Sequence, residues 1–154
     1  MQRDIYKQLL RWKNKKTRKP LILNGARQVG KTYILREFGE KEYQKVAFFS
    51  LDRNQKVREV FEKSGNTADI LMALSAISQV NITPGDTLLV LDEIQDCPKA
   101  LEALKFFCEE TPDIHIVVAG SLLGLSLHDG TSYPVGKVEE MRLYPMTFLE
   151  FLNA

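Results

Sequence analysis

Two glycines, a lysine and a hydroxyl stand at fixed intervals in Gly25-Ala26-Arg27-Gln28-Val29-Gly30-Lys31-Thr32, which fills every fixed place of the phosphate-binding pattern G-x-x-x-x-G-K-[ST]. The chemistry such a stretch supports is the holding of a triphosphate, with all eight residues, from Gly25 through Ala26, Arg27, Gln28, Val29 and Gly30 to Lys31 and Thr32, as the contacting set. Gly25 and Gly30 admit backbone dihedrals closed to other residues, so successive N–H groups can turn inward toward phosphate oxygens. Lys31 can set its ammonium between β- and γ-phosphates, and the Thr32 hydroxyl suits Mg²⁺, which prefers oxygen ligands and retains several waters. A second group is the carboxylate pair Asp92-Glu93 at the end of an apolar run. Asp92 can hold the Mg²⁺ through its water shell, while Glu93 can orient and polarise the water that attacks the γ-phosphate. A third is Ser121, after Ala119-Gly120, whose hydroxyl either senses the γ-phosphate or caps the turn into Leu122-Leu123-Gly124-Leu125.

These groups work together only if strands and helices place them at one rim. Pro20 to Asn24 reads as a short buried strand before the glycine stretch, and Tyr33 to Phe38 as a helix after it, whose N-terminus near Gly30 would favour an anion. Lys45 to Leu51 predicts a second strand. Helices are expected over Gln55 to Lys63 and over Ala68 to Val80, the latter behind a Thr67 cap and carrying Ile70, Leu71, Leu74, Ile77 and Val80 at helical spacing. Thr83-Pro84-Gly85-Asp86 breaks that pattern. Thr87 to Leu91 and Ile114 to Ala119 are apolar without alternation, as strands covered on both faces should be, and Lys99 to Glu110 reads as a helix entered after Pro98. Alternating strands and helices predict a mostly parallel α/β sheet. Open sheets of that kind bind ligands at their strand tips, the place this reading gives to Asp92, Glu93 and Ser121. Leu51-Asp52 ends the second strand, and Asp52 either approaches the magnesium site or closes a turn.

At 154 residues, 44% hydrophobic and a formal net charge of +1, the chain fits one globular domain and carries no overall field that recommends nucleic acid or membrane. The charge is unevenly spread, with Arg3, Lys7, Arg11, Lys13, Lys15, Lys16, Arg18 and Lys19 against the single acid Asp4 in that stretch. Ile5, Leu9, Leu10 and Trp12 are spaced as on an amphipathic helix of about residues 2–16, which favours a solvated basic face over a nucleic-acid contact. No apolar run approaches the ~20 residues that span a bilayer, and the start lacks the apolar stretch of a signal peptide, so a cytosolic location with no membrane partner is expected. Cys97 and Cys108 form no C-x-x-C pair and read as free thiols, while His115 in a strand and His128 in a loop are assigned no catalytic role.

The chain resembles the AAA-type P-loop ATPases, most closely a prokaryotic group in which the glycine loop is followed by Leu-Asp-Glu-Ile-Gln, here Leu91-Asp92-Glu93-Ile94-Gln95. The similarity continues through Pro98, Leu101 to Lys105, Val118 to Ser121 and Arg142 to Leu152. It implies a P-loop three-layer sandwich with strand order 5-1-4-3-2, in which Val138 to Leu143 is the fifth strand. It further implies Lys31 and Thr32 as Walker A residues, Asp92 and Glu93 as Walker B, Ser121 in the first sensor position, and ATP with Mg²⁺ rather than GTP. The catalytic set is then Glu93, Lys31 and Ser121, and the metal set Thr32 and Asp92. Gly136-Lys137 departs from the arginine usual in such a position, and lysine cannot reproduce a planar two-pronged guanidinium contact. Such proteins continue past the equivalent of Ala154 into a helical lid and a larger C-terminal region, so the sequence reads as the ATPase core of a longer protein, slow or inactive in hydrolysis by itself. The expected function is an ATPase core that couples MgATP binding and hydrolysis to a conformational output, with association of identical subunits left open. Alternatives are a nucleotide-dependent switch or nucleic-acid-associated module with little turnover, and a phosphotransferase acting on a small acceptor. Within the loop, the side chains of Arg27 and Gln28 read as facing solvent or a partner.

Overall fold

A computed structural model describes residues 4–26, 29–121, 134–145 and 152. Five strands form one parallel sheet: β1 (Leu21–Asn24), β2 (Lys45–Ser50), β3 (Thr87–Asp92), β4 (His115–Gly120) and β5 (Glu139–Arg142). Their spatial order is β2-β3-β4-β1-β5, the reverse listing of the expected 5-1-4-3-2, and every pairing is parallel. All side chains of β3 and β4 are buried, because both strands lie inside the sheet with apolar layers on each face. The edges differ. β2 is half-buried, and β5 carries Glu139, Glu140 and Arg142, charges that discourage pairing with another strand.

Helices cover both faces. On one, α3 (Gln55–Lys63), α4 (Thr67–Ser78) and α5 (Pro98–Glu110) bury Val57, Phe61, Ile70, Leu74, Leu101, Leu104 and Phe107 against Ile22, Leu89, Leu91, Ile116 and Val118. On the other, α1 (Asp4–Lys13) and α2 (Lys31–Glu42) bury Ile5, Tyr6, Leu9, Trp12, Ile34, Leu35 and Phe38 against Leu21, Leu23, Leu88, Val90 and Val117. The result is the three-layer α/β arrangement expected from the alternation of periodicities. Alternate residues of each central strand feed opposite layers, as the pleat requires.

Some boundaries differ from the sequence reading for physical reasons. α1 stops at Lys13 instead of running to about residue 16, because the Arg18 guanidinium reaches back to the carbonyls of Lys13 and Lys15 and stacks over Trp12. The cap of α4 is Asn66, whose side chain accepts from Asp69 N at 2.8 Å, while Thr67 lies inside the helix and its hydroxyl turns to Glu110. That helix ends at Ser78, with Gln79 in the left-handed region at φ 57°. Asn54 caps α3 in the same way as Asn66 caps α4, accepting from Val57 N at 3.2 Å. Arg27, Gln28, Leu122 to Leu125 and His128 lie outside the described residues.

Candidate functional site

The tips of β1, β3 and β4 meet at one rim of the sheet. Asn24, the last residue of β1, lies opposite Gly120, the last of β4, and Leu91 lies opposite Val118 one strand further on. The chain leaving β1 turns so closely under β5 that a Cβ on Gly25 would come within 2.7 Å of the Leu143 carbonyl oxygen, a backbone atom that cannot yield. Gly30 then opens α2 with φ 94°, a dihedral that strains any side chain. No side chain among the described residues caps that helix, and its first-turn N–H groups have no acceptor within the helix. A helix N-terminus facing a glycine turn is the arrangement that attracts a phosphate.

The side chains of the loop converge on it. Lys31 is buried, and its Nζ donates to the carbonyl oxygens of Gly25 and Ala26, each at 2.8 Å. The ammonium therefore spans the mouth of the turn. Thr32 Oγ1 donates to Asp92 Oδ2 at 2.6 Å, joining the start of α2 to the end of β3 across 60 residues of chain. Asp92 is buried, and its other oxygen, Oδ1, accepts from Glu93 N at 2.9 Å. Glu93 follows with φ 55° and ψ 51°, a left-handed conformation that non-glycine residues adopt rarely and at a cost. It begins a 3₁₀ turn, Ile94–Asp96, in which Gln95 Nε2 donates to Glu93 Oε2. Ser121, half-exposed, stands one residue beyond the tip of β4.

These placements bring Lys31, Thr32, Asp92 and Glu93 to a single rim, with Ser121 just past the end of the adjoining strand. The donor set fits a magnesium nucleotide on chemical grounds. A hydroxyl and a carboxylate already in contact are hard oxygen ligands, and Mg²⁺ characteristically takes one or two protein oxygens and draws the rest from water and phosphate. Among the described residues no group of three or more His, Cys, Asp or Glu gathers as a metal cage.

Other residues singled out in the sequence lie elsewhere. Asp52 sits in the turn after β2, accepts from the Ser50 hydroxyl and faces Arg53. Lys137 pairs with Glu109 at 3.3 Å. The basic stretch is partly consumed inside the molecule: Lys13 donates to the Glu42 carbonyl and lies over the Tyr43 ring, Lys15 pairs with Glu139, and Arg18 packs on Trp12. His115 begins β4 at the far end of the sheet, where burial, with Arg18 and Lys13 nearby, lowers its pKa to about 4. Cys97 is buried and Cys108 half-buried, both as free thiols, and burial pushes the Cys97 thiol pKa up. No helix among the described residues is long and apolar enough to cross a membrane.

Sequence reasoning assigned no role to Gln95 or Gly120. Gln95 was visible only as the last letter of Leu91-Asp92-Glu93-Ile94-Gln95, and its contact with Glu93 depends on a positive φ that no sequence pattern announces.

Comparison with known proteins agrees with this architecture. A solved structure of Drosophila ORC bound to DNA shares the fold at a TM-score of 0.60 and 15% sequence identity, over 96% of this chain and 44% of that one. The chain thus spans under half the length of that relative. No curated protein matches its sequence. The family model described as AAA domain matches residues 17–152, which covers the loop, both carboxylates and all five strands. The chain therefore belongs to the AAA domain family, as an AAA-type ATPase nucleotide-binding module.

Proposed function

We propose that the chain binds MgATP at the Gly25 to Thr32 loop and hydrolyses it, as the core of a machine whose conformational output is carried by further sequence. The observation that carries this reading is the 2.6 Å contact between Thr32 Oγ1 and Asp92 Oδ2, because it aligns the loop hydroxyl with a carboxylate from another strand at the phosphate-binding end of α2. Lys31 moves from the carbonyls of Gly25 and Ala26 to the β- and γ-phosphate oxygens, exchanging neutral acceptors for charged ones. Thr32 and Asp92 would hold Mg²⁺, which when bound would supply neutralisation of the phosphate charge. Glu93 accepts a proton from water as that oxygen bonds to Pγ and the bond to the β–γ bridging oxygen breaks, leaving ADP and inorganic phosphate. Ser121 faces the γ-phosphate from the tip of the neighbouring strand. ATP is favoured over GTP by the family.

Glu93→Gln is the decisive variant. It should hold labelled ATP as tightly as the parent while turnover falls by about 10²- to 10⁴-fold, the span set by general base catalysis. Undiminished phosphate release from that variant would remove Glu93 from the reaction. Release that depends on an added small acceptor would mark a phosphotransferase instead.

A further inference from the structure

Gln95 is boxed in by the elements that frame Glu93. Its Nε2 donates to Glu93 Oε2, and its Oε1 is buried without a hydrogen-bond partner among the described residues. The same Oε1 lies where a Cβ on Gly120 would come within 2.7 Å, and Ile94 Cγ2 lies 2.8 Å from that point. The tip of β4 thus makes room for the carboxamide by having no side chain there. An amide placed in a slot where one of its polar atoms goes unserved is held by its other contact, and that contact is the carboxylate. The backbone repeats the message, since Glu93 sits in the left-handed region and its N–H is fixed by Asp92 Oδ1 at 2.9 Å.

Resting on the hydrolytic reading above, we infer that Gln95 is a positioning residue for Glu93, and that the absent side chain at Gly120 is the condition for its doing so. A glutamate has three side-chain torsions, and a carboxylate free to swing meets the attacking water in only a fraction of its rotamers. Donation from Gln95 to Oε2 fixes the carboxylate and leaves Oε1 to accept the proton from water, in the way that the third member of a nucleophile, base and orienter set fixes the base.

Gln95→Met keeps the length and bulk of the side chain and removes the donor. It should lower kcat by about 10- to 100-fold, with KM and ATP affinity unchanged within about twofold, since a misplaced reacting group costs turnover more than binding. Gly120→Ala should reproduce that loss with Gln95 chemically intact, its unfolding midpoint reporting that the chain still folds. A readout independent of turnover is the side-chain carboxamide signal of ¹⁵N-labelled Gln95, whose hydrogen exchange should be slow in the parent and quicken in Glu93→Ala. Gln95→Met with the parent's kcat or a higher one overturns the inference, as does a carboxamide signal indifferent to Glu93→Ala. Glu93→Gln with the parent's turnover overturns the hydrolytic reading itself, and the inference falls with it.

Discussion

β4 begins with His115 beside Tyr43 and ends with Gly120 beside Gln95, and the two ends handle buried polar groups differently. At the first end the Tyr43 hydroxyl and His115 Nδ1 share a hydrogen bond of 2.7 Å, and Trp12 Nε1 donates to the Lys19 carbonyl at 2.8 Å. The rings of Trp12, His115, Tyr43 and Phe38 pack edge to face there, and Arg18 Nε is the buried side-chain atom beside them that lacks a partner among the described residues. At the other end Asn24 Oδ1 and Gln95 Oε1 are buried without partners among the described residues, Glu93 is bent into a costly conformation, and Lys31 is served by loop carbonyls. One end is arranged for stability. The other carries unspent polar capacity and backbone strain, the pattern of a site that improves when it binds something.

The contrast is open to attack at its stable end first. Trp12 is about as buried as any residue in the molecule, at 1% exposure, so Trp12→Ala should cost ~3–5 kcal/mol in urea unfolding while the folded variant keeps the parent's nucleotide affinity. A loss of affinity beyond the loss of folded protein would show that the two ends are coupled. His115 offers a smaller effect with a sign. Its folded pKa of about 4 lies below the ordinary value of 6.5, so on acidification the unfolded chain takes up the proton first. The stability this group contributes is present above pH 6.5 and is lost as the pH falls toward 4, by up to ~3 kcal/mol. Carboxylates titrate in the lower part of that window, so the histidine share is the difference in slope between the parent and His115→Gln, which should be flatter. Smallest is Asn66→Ala, on the face of the sheet opposite Trp12, where loss of the α4 cap should cost ~1 kcal/mol and add to the Trp12→Ala effect without interaction. Non-additivity there would mean that the α3, α4 and α5 layer senses the opposite face.

What the sequence disclosed follows the range of the interactions involved. The loop, both carboxylates and the central strands were legible because short patterns specify them: glycines where φ or a close approach demands them, and unbroken apolar runs at Leu88 to Leu91 and Ile116 to Ala119. The strand order came from the family resemblance, since periodicity alone does not say which strand lies beside which. Tertiary contacts decided the rest. Arg18 ends α1 from outside the helix, and Asn66 takes the cap from Thr67 because the Thr67 hydroxyl turns to Glu110. The Gln95 brace needs Glu93 at positive φ and an empty slot at Gly120, two conditions that meet only in the folded chain.

Equilibrium titration with labelled ATP and Mg²⁺, parent against Lys31→Ala, addresses the central claim most directly, because Lys31 is the charge proposed to meet the triphosphate at the glycine turn. Loss of a charge-assisted contact of about 1.5–3 kcal/mol predicts affinity weaker by at least about tenfold, in a protein whose unfolding midpoint is kept. Equal affinities for the two chains would contradict the account.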